Sequence, residues 1–260
     1  MSYTKQYLEK AKEIISIVEK QEPIIQEVAK LFAETILNGR LVHMFGSGHS
    51  RMMVEEMWPR YGSFPGFNPI VELSLTFFNL VAGANGIRQA MFLENIPGLA
   101  ARILRNFDID NQDTAFVISS SGCNVVPIEM AEGFQSRNVK VVALLSRMHL
   151  EGSDSNREDG KKLIDFADYV LDTGAPLGDA MIKIESLDTP VAPGSTLGGV
   201  MIINTIKSEV ANILLQNGKS PKVLCSGKII GEQRAAELFE EAFDEHARNM
   251  AKLYKNVGIG

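Results

Sequence analysis

Short apolar runs alternate along this chain with stretches whose apolar residues recur every three or four positions. Leu41 to Phe45, Thr114 to Ile118 and Val139 to Leu145 read as buried strands, and Phe166 to Leu171 as a shorter one. Ile70 to Leu75 and Ala180 to Ile184 are candidates for further short strands. Residues 3 to 38 carry Leu8, Ala11, Ile14, Ile15, Val18 and then Ile24, Ile25, Val28, Leu31, Phe32, Ile36 at helical spacing. Pro23 predicts a kink or a break there, and Asn38-Gly39 ends the helix. Gly83, Asn85-Gly86 and Pro97-Gly98 punctuate the next stretch, leaving Gly86 to Phe92 and Gly98 to Phe107 as helical. Val125 to Arg137, a long segment from Pro193 to Gly218, and Gly231 to Asn256 complete the helices. Residues 146 to 162 and most of 172 to 193 read as loop. Apolar strands alternating with helices predict an α/β fold with a parallel sheet covered on both faces. Such folds bind ligands at the carboxyl ends of their strands.

Three polar loops follow predicted strands and meet that rule. The first is Gly46-Ser47-Gly48-His49-Ser50, where the glycines allow φ > 0 and a close approach of backbone to ligand. The second is Ser119-Ser120-Ser121-Gly122-Cys123-Asn124, and the third begins at Ser146. Three consecutive hydroxyls at the end of a buried strand are costly unless hydrogen-bonded. With a helix start behind them they suit an oxygen-rich anion, although a serine-rich helix cap is the plainer reading. A dinucleotide loop is excluded, because G-x-G-x-x-G would need glycine where Arg51 stands. There is no Walker sequence and no nucleophile elbow. His43, His49, His149 and His246 are dispersed without metal-ligand spacing. No cofactor and no metal are therefore expected.

Composition narrows the partners. With 260 residues, 45% of them hydrophobic, the chain can bury a full core. A net charge of −6 argues against a nucleic-acid backbone, so an anion must be held by local N–H and O–H groups. Two cysteines make no disulfide framework, and the polar start and the lack of a long apolar run predict a cytoplasmic protein without a membrane segment. The expected organisation is an N-terminal helical arm over 1–38 that packs on or swaps with a partner, a ligand-binding domain over 39–220, and a C-terminal helical extension over 221–260.

Taken together, Gly46 to Ser50 after one strand, S-x-S-G-x-N after the next, and Pro193-Gly194-Ser195-Thr196 opening a late helix resemble the sugar isomerase (SIS) domain. The resemblance spans roughly residues 35–217 and extends to bacterial SIS proteins labelled phosphoheptose isomerase or phosphosugar-binding protein. It implies a three-layer α/β/α sandwich with a five-stranded parallel sheet, flavodoxin-like, and a homodimer or homotetramer that binds a sugar phosphate. By position, Ser119, Ser120, Ser121, Gly122 and Asn124 match the phosphate loop, with Asn124 standing where the family has Ser or Thr. Ser47, Gly48, His49 and Ser50 match the sugar-side loop, Ser146 another ligand-facing turn, and Ser195 and Thr196 the helix start that closes the site.

Aldose–ketose isomerisation needs a base for the proton shared between C1 and C2. Glu56, in a segment resembling the phosphoheptose isomerase glutamate helix but one turn closer to its loop, is one candidate, and a solvated helix face is the alternative. Glu94 is a second candidate, or else a helix-end surface charge, and His49 would assist as acid or base, or else be a polar turn residue with no catalytic duty. The family's late-helix histidine has no counterpart, although Asn204 and Lys207 lie on the corresponding helix. Two other functions fit the same residues: a non-catalytic phosphosugar sensor, and a lyase cleaving the lactyl ether of a muramic acid phosphate.

Overall fold

The structure is a computed structural model that describes residues 1–76 and 84–255. Five strands, β1 (Val42–Gly46), β2 (Phe67–Ile70), β3 (Thr114–Ile118), β4 (Lys140–Leu145) and β5 (Tyr169–Asp172), form one parallel sheet in the order β2-β1-β3-β4-β5. That is the flavodoxin-like order, and the direction of winding reverses between β1 and β3. The early helices are α1 (Tyr3–Glu19), α2 (Glu22–Leu37), α3 (Arg51–Met57), α4 (Leu73–Thr76), α5 (Ile87–Leu93) and α6 (Leu99–Leu104). The later ones are α7 (Val125–Gln135), α8 (Arg147–Glu151), α9 (Ser195–Gln216), α10 (Gly227–Ile230) and α11 (Glu232–Leu253).

Alternation along the strands builds two cores, one on each face. Val42, Met44, Phe116, Ile118, Val142 and Leu144 point to one side and pack against α2, α3 and α9. Phe45, Ala115, Val117, Val141, Ala143 and Leu145 point to the other and pack against α6 and α7. The expected three-layer sandwich is therefore the observed one. Pro23 lies in the first turn of α2, where its missing N–H is not needed, so it divides the predicted arm into two helices. At the far edge the Gln21 amide acts as a strand substitute: its Oε1 accepts from Asp172 N and its Nε2 donates to Asp172 O, both at 2.7 Å. Among the described residues no helix is long and apolar enough to cross a membrane.

The strand boundaries differ from the pattern in three places. The second strand is Phe67–Ile70, ahead of the expected Ile70 to Leu75; the latter's alternation is also satisfied by one helical turn, which buries Leu75. The last strand starts at Tyr169, because Leu163–Phe166 coils into a 3₁₀ turn that buries Leu163 and Phe166. Ala180 to Ile184 is no strand but a single antiparallel bridge, Ile182 to Val191. Within the polar stretch after β4, α8 forms because the Ser146 hydroxyl accepts from His149 N. Gly83 and Asn256 lie outside the described residues.

Candidate functional site

The carboxyl ends of β1 and β3 lie side by side, with Gly46 opposite Ile118, at the point where the winding reverses. Ser47 leaves β1 extended, and Gly48–Ser50 close a 3₁₀ turn through Ser50 N donating to Ser47 O at 3.0 Å. Gly48 has φ +54°, a conformation that L side chains rarely adopt. After β3, the Ser119 hydroxyl accepts from Gly122 N and the Ser121 hydroxyl from Cys123 N, each at 3.2 Å. Each serine oxygen thus satisfies a turn amide and keeps its own proton to donate. Both loops face one cleft of about 540 Å³.

Ser47, Gly48, His49, Ser50, Glu94, Ser119, Ser120, Ser121, Asn124, Ser195 and Thr196 all line this cleft. Three expected residues do not. Ser146 is fully buried beneath it, donating to Ala175 O at 2.6 Å while capping α8. Gly122 faces away; a Cβ there would meet Leu145, Leu150 and Leu163. Glu56 lies on α3, where it pairs with Arg60 and accepts from Asn204 Nδ2 at 2.8 Å. The expectation of Glu56 as a base lining this cleft is corrected: it sits at the contact of α3 with α9 instead. Nearby, burial lowers the Lys207 pKa, and Lys207 Nζ donates to Glu56 O and Asn204 Oδ1.

Glu94 is the buried carboxylate of the cleft, 9% exposed at the end of α5. Burial pushes its pKa up, and hydrogen bonds from Ser47 and Asn124 offset part of the rise. Asn124 Nδ2 donates to Glu94 Oε2 at 2.6 Å. The residue matched to a phosphate contact is therefore engaged with the carboxylate. Asp179, on the loop after β5, accepts from Gly194 N, Ser195 N and the Ser195 hydroxyl, and so fills the amino end of α9 with protein charge. Among the described lining residues there is neither lysine nor arginine.

His149, Thr173 and Asp179 also line the cleft and were missed from the sequence. His149 Nδ1 stands 3.5 Å from the Ser120 hydroxyl. The signal for it was a histidine three residues beyond a strand-end serine. For Asp179 there was none, since the bond to Ser195 spans 16 residues of irregular chain.

A doubly wound sheet with a hydroxyl-rich cleft at its switch point defines an α/β small-ligand protein with sites on strand-end loops. Residues 6–146 match the SIS domain family, and the chain belongs to that family. A UPF0309 protein of Halalkalibacterium halodurans is 34% identical over 235 residues, covering 89% of this chain and 92% of that one. A UPF0309 protein of Geobacillus kaustophilus is 31% identical over 96% of this chain and 93% of its own. In fold, the chain is similar to a phosphoheptose isomerase from Francisella tularensis, with TM-score 0.51, 15% identity, and coverage of 81% of this chain and 98% of that one.

Proposed function

We propose that this cleft binds a sugar phosphate and isomerises it between aldose and ketose through an enediolate. The observation that carries the reading is the convergence of two serine loops and one buried carboxylate on a single cleft. The phosphoryl group sits against Ser119, Ser120 and Ser121; the Ser119 and Ser121 oxygens each accept from a turn amide and keep a proton to donate, and the Ser120 hydroxyl lies 3.5 Å from His149 Nδ1. Neutral donors and the dipole of α7 hold the anion in place of side-chain cations. The sugar extends towards Ser47, Ser50 and Thr196. Glu94 takes the proton from C2 and returns it to C1; burial raises its pKa, which makes the carboxylate a stronger base. His49 and His149 stand where they can serve O1 or the ring oxygen. Self-association as a homodimer or homotetramer belongs to the same reading.

Exchange of solvent deuterium into C2 of a panel of sugar phosphates tests the chemistry. The wild type exchanges and interconverts, Glu94→Gln binds without exchange, and Ser119→Ala with Ser121→Ala binds at least tenfold more weakly. Unchanged affinity in the double variant refutes the phosphate seat. Binding without exchange in the wild type favours a sensor, and release of lactate from a muramic acid phosphate favours the lyase.

A further inference from the structure

Asn156 sits in the polar loop that follows α8, in a stretch with no strand and no part in lining the cleft. Its side-chain NH2 group serves two acceptors. One Nδ2 donates to Asn95 Oδ1 and to Asn124 Oδ1, each at 2.9 Å. Its backbone N–H donates to Cys123 O at 2.9 Å, tying it to the serine loop itself. The loop is anchored on both sides: Lys162 Nζ donates to Leu150 O and Ser153 O, the Ser155 hydroxyl to Lys161 O, and Arg157 pairs with Glu132 and Asp159.

We infer that Asn156 is a positioning residue for Glu94, acting through Asn124. An asparagine side chain can turn either its oxygen or its NH2 group towards a neighbour, and the two choices have opposite effects on a carboxyl. The NH2 group donates and favours the carboxylate; the oxygen accepts and favours the carboxylic acid. Asn124 is the pivot. Asn156 offers it a donor, so the Asn124 oxygen turns to Asn156 and its NH2 group faces Glu94 Oε2. Asn156 cannot reverse its own amide without also losing the bond to Asn95. The relay Asn95–Asn156–Asn124–Glu94 thus fixes which form of Glu94 the protein favours, from a loop distant in sequence.

This rests on the reading of Glu94 as the base, yet its test stands apart from turnover. The Glu94 side-chain carboxyl is followed by ¹³C NMR titration in glutamate-labelled protein, with Glu94→Gln assigning the resonance. Asn156→Ala removes the donor and frees the Asn124 amide to turn; the Glu94 midpoint moves to higher pH. Asn156→Asp replaces the donor by acceptors, pulls the Asn124 NH2 group away, and moves the midpoint further. The basic limb at which C2 exchange becomes pH-independent moves with it, while the affinity for sugar phosphate changes less than threefold. A midpoint unmoved in both variants overturns the inference, even if their melting temperatures fall. If the midpoint moves but no sugar phosphate exchanges, the relay stands and the isomerase reading fails.

Discussion

Asp113, at the amino ends of the strands, offers the sharpest test of how this fold is held. Its side chain is fully buried at the start of β3. Arg40 holds it in a fork, Nε to Oδ1 at 2.9 Å and Nη2 to Oδ2 at 2.8 Å, and Leu41 N and Asp110 N also donate to it. His43 Nε2 lies 3.1 Å away, off the line of a hydrogen bond. Burial alone would raise the Asp113 pKa; the His43 and Arg40 contacts and the Asp110 amide outweigh it and hold the group at about 2, against 3.8. The folded pKa is depressed, so the stabilisation is complete above the unfolded value and is lost as pH falls through the folded one. At ~1.4 kcal/mol per unit the shift contributes about 2.5 kcal/mol at pH 7 and roughly half that at pH 3. Asn at this position keeps the shape and removes the charge. Urea unfolding of wild type and Asp113→Asn at pH 7, 4 and 3 should therefore show a gap that narrows with acid. A gap of constant size, or none at pH 7, refutes the reasoning.

Three substitutions, one of them a control, probe how the cleft is supported. In Gly198→Ala the new Cβ overlaps the Thr173 carbonyl, a backbone group that cannot step aside, so α9 must lift from the end of β5. The cost is about 3 kcal/mol and a melting temperature lower by ~6–12 °C. Gly199→Ala is the control: its Cβ meets the flexible Met53 side chain, and the melting temperature should fall by less than half as much. Equal losses would refute the steric account. Ser146→Ala leaves the buried Ala175 carbonyl without the hydroxyl that donates to it and uncaps α8. A loss of about 1–3 kcal/mol follows, read as a lower urea midpoint, and an unchanged midpoint would contradict it.

The sheet was legible because buried parallel strands leave dense apolar runs that few other structures produce. β1, β3 and β4 fall within a residue of the pattern for that reason. The short edge strands were displaced, since four residues carry little periodicity: Pro69 sits inside β2, and Phe166 belongs to the turn before β5. The two serine loops were visible for a local reason too. Each follows its strand directly, and the fold dictates that such loops gather at one rim.

What the pattern concealed was everything held by contacts between distant segments. Glu56 and Glu94 are alike in sequence, each an acidic residue on a short helix after a glycine. Thirteen per cent of the Glu56 side chain is exposed and it faces Arg60 and Asn204, whereas Glu94 meets Ser47 and Asn124 in the cleft. Spacing along a helix can say which face a residue occupies, but not which other segment arrives to meet it. The same holds for Asp179 at the foot of α9 and for Asn156 behind Asn124. The donors that hold the Glu94 carboxylate come from 30 residues away in one case and 47 in the other, counting from Glu94 to Asn124 and back to Ser47. Under the proposed function, the loops mark where the ligand binds, and the long-range hydrogen bonds decide what can be done to it there.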